Sequence, residues 1–95
     1  MLGKLQQLWL HENEIGNVGV AAFMAALQNE ALPSLATLSL DHNCIWKDGV
    51  DAILRALEDG ALPRCKNVLL SDNPAGSRAE QEVAGVLQQR LLGRS

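Results

Sequence analysis

Aromatic side chains are scarce in this chain of 95 residues: Trp9, Trp46 and Phe23, with no tyrosine. Base-stacking and sugar-binding platforms normally offer more ring surface than this. Cysteine is nearly as rare, with Cys44 and Cys65 alone, and their spacing fits no zinc pattern. A small secreted domain held by disulfides would carry more of them, so free thiols in a reducing compartment are expected. No apolar run is long enough to span a bilayer. The opening segment MLGKLQQLWL is broken by Lys4, Gln6 and Gln7 and has no continuous apolar core of the secretory-signal kind. A cytoplasmic location follows as the expectation. Basic residues are not in excess: eight stand against eleven acidic ones, a net charge of −3. The electrostatic footprint of a nucleic-acid binder is therefore missing. So is a polybasic patch for anionic lipid. The expected partners are neither nucleic acid nor membrane.

Hydrophobic residues make up 47% of the chain and charged residues 20%, the balance of a packed globular chain and not of a disordered tail. The length suits a single domain over residues 1–95. Within it the sequence repeats. Residues 5–34 and 35–64 are identical at 13 of 30 positions without a gap, where roughly two would match by chance at ordinary residue frequencies. The matches include Leu5/Leu35, Leu8/Leu38, Leu10/Leu40, Asn13/Asn43, Ile15/Ile45 and Gly19/Gly49. They close with Leu27/Leu57 and Ala31-Leu32-Pro33 against Ala61-Leu62-Pro63. A third, degraded copy over about 65–94 keeps Leu70, Asn73, Leu87 and Leu92.

Each copy opens on one skeleton: LQQLWLHENEI, LATLSLDHNCI and CKNVLLSDNPA. Leucines two apart, as at Leu8 and Leu10, put both side chains on one face of a strand. The asparagine then ends the strand, and its amide is able to donate and accept where the chain turns. The second half of each copy changes period. Gly19, Ala22, Phe23, Ala26 and Leu27 recur at helical spacing, and Gly49, Ala52, Ile53, Ala56 and Leu57 repeat them in register. Small residues on this face predict a helix lying close to the strand layer. The helices are expected to run to the Ala-Leu-Pro segments, where proline blocks continuation. In the third copy Ser77 and Glu80 fit a capping box, with a helix from about Arg78 to about Leu91. One strand–turn–helix unit cannot bury both of its apolar faces alone; stacked copies bury them against each other, giving a parallel sheet under a layer of helices.

The skeleton L-x-x-L-x-L-x-x-N, followed by GVAAFMAAL and GVDAILRAL, closely resembles the leucine-rich repeat family, ribonuclease-inhibitor-like subtype, over about residues 4–92. The resemblance implies an α/β solenoid, a short horseshoe of about three repeats, with parallel strands on the concave side and helices on the convex side. It implies a protein–protein interaction module and no enzyme. The alternative it implies is the C-terminal part of a larger regulatory protein, such as the sensor end of a NOD-like receptor or a Ran GTPase-activating-protein-like solenoid. Two departures stand out. Three repeats are near the lower limit for a stable stack. The chain also enters its first strand at Leu5 with no cap before it, which predicts a water-facing edge open to self-association. At the other end Glu82 replaces Ala22 and Ala52, and Gln88, Gln89, Arg90 and Arg94 follow, the pattern of a terminal repeat with a polar outer side.

Strand alternation selects the side chains that point away from the leucine core. They stack as four ladders: Gln7, Thr37 and Asn67; Trp9, Ser39 and Leu69; His11, Asp41 and Ser71; Glu12, His42 and Asp72. An outward tryptophan is the sharpest feature, since tryptophans are enriched at binding hot spots; with Leu69 across Ser39 it makes an apolar anchor in a polar surface. Trp9, His11, Ser39, Asp41, Leu69 and Ser71 are the expected contacts of an unidentified protein partner. The two histidines with Asp41, Glu12 and Asp72 invite a metal or acid–base reading. Solvated cross-strand pairs explain them better, because no nucleophile with an orienting partner accompanies them and an open sheet does not exclude water. No catalytic residue, metal ligand or cofactor is expected. Cys65 occupies a leucine slot and should be a buried thiol. Trp46, in the loop before the second helix, should cover the neighbouring repeat. Gly16 and Gly19 precede a helix without a phosphate-binding signature and serve turn geometry and close packing.

Overall fold

The computed structural model describes residues 4–27 and 31–92. Strand and helix alternate three times: β1 Gln7–Trp9, α1 Gly16–Ala26, β2 Thr37–Ser39, α2 Lys47–Glu58, β3 Asn67–Leu69 and α3 Ser77–Leu92. The strands form one open parallel sheet in the order β1-β2-β3. The register is the thirty-residue offset itself, Leu8 opposite Leu38 and Leu38 opposite Val68. Each strand is three residues long because the chain leaves the extended region soon after it. Glu12, His42 and Asp72 all sit in the left-handed region, with φ near 60° (60°, 61° and 59°), and turn the backbone toward the helix.

The core lies between the sheet and the helices. Leu35, Leu38, Leu40, Ile45 and Ile53 are completely buried, and Val50, Leu57, Leu62 and Val83 join them. Their counterparts in the first unit, Leu5, Leu8, Leu10, Ile15 and Phe23, pack on the same core but remain partly open to solvent. Among the described residues no helix is long and apolar enough to cross a membrane.

Three expectations about the helices need correcting. The first concerns where they stop. α2 ends at Glu58, well before Pro63. Gly60, at φ 98°, turns left-handed, the Ala61 N–H donates to the Ala56 carbonyl at 2.9 Å and the Gly60 N–H to that of Leu57 at 3.1 Å. This is a Schellman closure, so glycine and not proline ends the helix. α1 ends at Ala26, with Leu27 as its C-cap; the end of the first copy's segment, residues 28–30, lies outside the described residues, as does Arg94.

The second concerns the buried face. In α1 it is Val20 and Met24, continued by the C-cap Leu27, while Ala22 and Ala26 are exposed. The small residues act sideways, between helices. A Cβ on Gly49 would meet Asn17 Oδ1 at 2.6 Å and Val20 Cγ1 at 3.0 Å, both from α1. The third concerns Glu80. Its carboxylate does not close a capping box with Ser77 but reaches across to the end of β3, accepting from the Leu70 N–H at 3.0 Å and from the Ser71 hydroxyl at 3.3 Å.

Candidate functional site

The strand exits carry the most built part of the open face. Asn13, Asn43 and Asn73 stand thirty residues apart at the turn and tie the units together. Asn43 Oδ1 accepts the Asn13 N–H at 2.8 Å and the Ile15 N–H at 3.3 Å, while its Nδ2 donates to the Leu10 carbonyl at 2.7 Å and to that of Asp41 at 3.1 Å. Asn73 repeats this one unit on, accepting from the Asn43 and Ile45 N–H groups and donating to the Leu40 and Leu70 carbonyls. A buried amide with all its bonds made rigidifies what it touches. The outward side chains just before and after each turn are therefore held on a fixed frame.

Those side chains line a hollow of about 300 Å³: Trp9, His11, Glu12, Ser39, Asp41, His42 and Asp72. Trp9 is 53% exposed, its indole N–H donates to Gln7 at 3.3 Å, and its ring meets His11 edge-on with centroids 6.4 Å apart. Asp41 is fixed, one carboxylate oxygen accepting the Ser71 N–H at 2.7 Å. Among the described residues, three carboxylates lie on this hollow and no lysine or arginine lines it. Ser39, by contrast, is buried at 1% exposure. It stands in register between Trp9 and Leu69, whose larger side chains flank it. Ser39 shapes the floor and offers a partner almost no surface.

Of the six expected contacts, the hollow brings together Trp9, His11, Ser39 and Asp41. Leu69 and Ser71 lie outside it, each on a separate depression toward α3. Leu69 stays in the same row as Trp9, with Ser39 between them, but does not line this hollow. In place of Leu69 and Ser71 the hollow takes in Glu12, His42 and Asp72, the ladder at the left-handed turn. Among the described residues no three histidine, cysteine or acidic side chains are grouped so as to hold a metal ion.

Two residues with structural roles escaped the repeat pattern. Asn17 Oδ1 accepts the Trp46 N–H at 2.8 Å and the Gly49 N–H at 3.1 Å, so the first unit caps the helix of the second. Its counterparts are Lys47 and Ser77, so the thirty-residue comparison passes over it; only its type, an asparagine beside a helix start, signalled a cap. Glu80 is the other, already described at the end of β3. Trp46 does not cover the neighbouring repeat: it is 60% exposed and anchored by its backbone alone to Asn17. Both cysteines are free thiols, Cys44 exposed and Cys65 buried. Burial pushes the Cys65 thiol above its ordinary value, against weaker opposing effects of the Asn67 backbone and the Arg90 charge, so it stays protonated at neutral pH.

No protein-family model, no curated protein and no solved structure matches the chain.

Proposed function

We propose that the chain is a short leucine-rich-repeat solenoid that works as a non-enzymatic protein-binding module, presenting the strand side of its repeats to a protein partner. The hollow at the strand exits carries this reading. It joins an exposed tryptophan to three carboxylates on a frame fixed by the asparagine ladder. A preorganised surface lowers the ordering cost of association. The charge pattern favours a partner that brings a basic side chain to Glu12, Asp41 and Asp72 beside a group that packs on the Trp9 ring, where cation–π attraction adds to the pairing. An open hollow of this kind keeps water in contact with every titratable group, which suits recognition and not catalysis. A reducing, cytoplasmic setting belongs to the same reading, supported by two thiols that remain unpaired with each other.

The test places a photo-cross-linking residue at Gln7 on the strand side or at Arg55 on the helix side. A protein trapped from Gln7 and not from Arg55 is the expected result. With that protein purified, Trp9→Ala should weaken binding by about 2 kcal/mol, roughly thirty-fold, at unchanged circular dichroism. Equal trapping from both sides, or unchanged affinity of the Trp9→Ala chain, removes the proposal.

A further inference from the structure

The two ends of the sheet are finished differently. At each strand exit a backbone N–H donates to the next strand: Leu10 to the Ser39 carbonyl at 2.9 Å and Leu40 to the Leu69 carbonyl at 2.8 Å. At β3 the equivalent N–H, that of Leu70, goes instead to the Glu80 carboxylate at 3.0 Å. Glu80 stands where the earlier units have Val20 and Val50, both buried at the packed side of their helices. Val20 is one of the atoms that the following unit's Gly49 approaches. The third unit has thus exchanged the valine that would meet a fourth unit for a carboxylate that takes the strand's outward N–H.

Among the described residues no comparable side chain finishes the other end. β1 is the edge strand there. Leu5, Leu8, Leu10 and Ile15 are partly exposed, while Leu35, Leu38, Leu40 and Ile45 are buried to 0% by the unit before them. Ala26 is exposed where Ala56 is 5% exposed. α1 also has Ile15 at its N-cap and no side-chain cap, whereas α2 receives Asn17 from the preceding unit.

We infer that the outer side of β1 and α1 is a docking surface for one further strand–turn–helix unit of the same thirty-residue pattern, and that the outer side of β3 and α3 accepts none. The occupant follows from continuity with the interface already present. The same leucines, isoleucine, glycine and alanine recur at the second unit, and what covers them there is the trailing side of a unit of this kind. A second copy stacked head to tail is not that occupant. Its own trailing side is the one closed by Glu80. The inference uses the fold alone and is independent of what binds the strand face.

The probe is one extra unit, a duplicate of residues 35–64, joined to the full chain either directly ahead of Leu5 or after Ser95. Thermal unfolding, sedimentation and amide exchange are then compared with the parent chain. Joined ahead of Leu5, the unit should raise the midpoint by about 10 °C in a single transition, since each kcal/mol moves a domain of this size by about 4–8 °C. It should also slow exchange of the Gly19 N–H at least tenfold. Joined after Ser95, it should leave the midpoint unchanged and melt separately. In the background of Glu80→Val, which restores the valine, the same C-terminal addition should gain several degrees. Equal gains at both ends, or no gain at either, overturn the inference. So does a parent chain that sediments as a dimer and becomes monomeric with Leu8→Lys, because a second copy would then be what covers this face.

Discussion

Among the described polar side chains Asn43 is the most deeply buried: 0% exposed, it bonds four backbone groups on two units. Truncation to alanine strands the Asn13 and Ile15 N–H groups in a place water barely reaches, while the Leu10 and Asp41 carbonyls keep the Asn13 amide and the Glu12 N–H as donors. Each such group costs about 1–3 kcal/mol when stranded, and relaxation recovers part of it. Asn43→Ala should therefore lose about 3–5 kcal/mol in urea denaturation. Asn13→Ala removes the same side chain from an exposed turn, where it donates only to the Leu10 and His11 carbonyls. Water replaces those bonds, and the loss should stay under about 1 kcal/mol. Similar losses at the two positions would mean that the ladder's cross-unit bonds carry no net stability. The asparagines were legible in the sequence because they recur at thirty residues at the end of every strand. Which of them matters most was not, since that depends on having a neighbour on both sides.

At the scale of elements, α2 depends on a residue it does not contain. Trp46 at its N-cap has no side-chain oxygen to offer, and Asn17 supplies the acceptor from α1. Asn17→Ala should cost about 1 kcal/mol, as other lost N-caps do, and speed exchange of the Gly49 N–H. Asn17→Asp should restore the cap at neutral pH, because a carboxylate accepts the same two bonds and suits the positive end of the helix. That rescue should fade as the pH falls through the carboxyl range; if Ala and Asp behave alike, Asn17 does not act as a cap. The number, order and parallel pairing of the elements were legible because leucines at strand spacing and apolar residues at helical spacing recur in register. The helix ends and the buried face of α1 were not. Glycine stops α2 ahead of the more conspicuous proline. The alanines of α1 share the helical spacing of those in α2, but Ala56 is buried where Ala26 is exposed. The hollow was half legible. Trp9, His11 and Asp41 follow from strand alternation, but that Ser39 is overshadowed depends on the sizes of the side chains beside it on neighbouring strands, Trp9 and Leu69.

For the whole molecule, one consequence is that stability is graded along the sheet although the sequence is periodic. Leu8 and Leu38 are the same residue at the same point of the pattern, yet Leu38 is wholly buried between two neighbours and Leu8 has a neighbour on one side only. A buried leucine cut to alanine loses transfer free energy and leaves a cavity, together about 2–5 kcal/mol. Leu38→Ala should fall near the upper part of that range and Leu8→Ala at or below its lower end, a difference of about 2 kcal/mol between chemically identical substitutions. With total stabilities of small domains at about 5–15 kcal/mol, Leu38→Ala removes a large share of what holds the fold together. The same gradient should appear without mutation. Exchange of the Leu40 N–H, bonded to the Leu69 carbonyl behind two packed units, should follow global unfolding; that of the Leu10 N–H, at the open edge, should follow a cheaper local opening of the first unit. Equal losses for the two leucines and equal protection of the two amides would show that the thirty-residue units do not depend on their neighbours for burial, and the docking surface inferred at β1 would lose its physical basis with them.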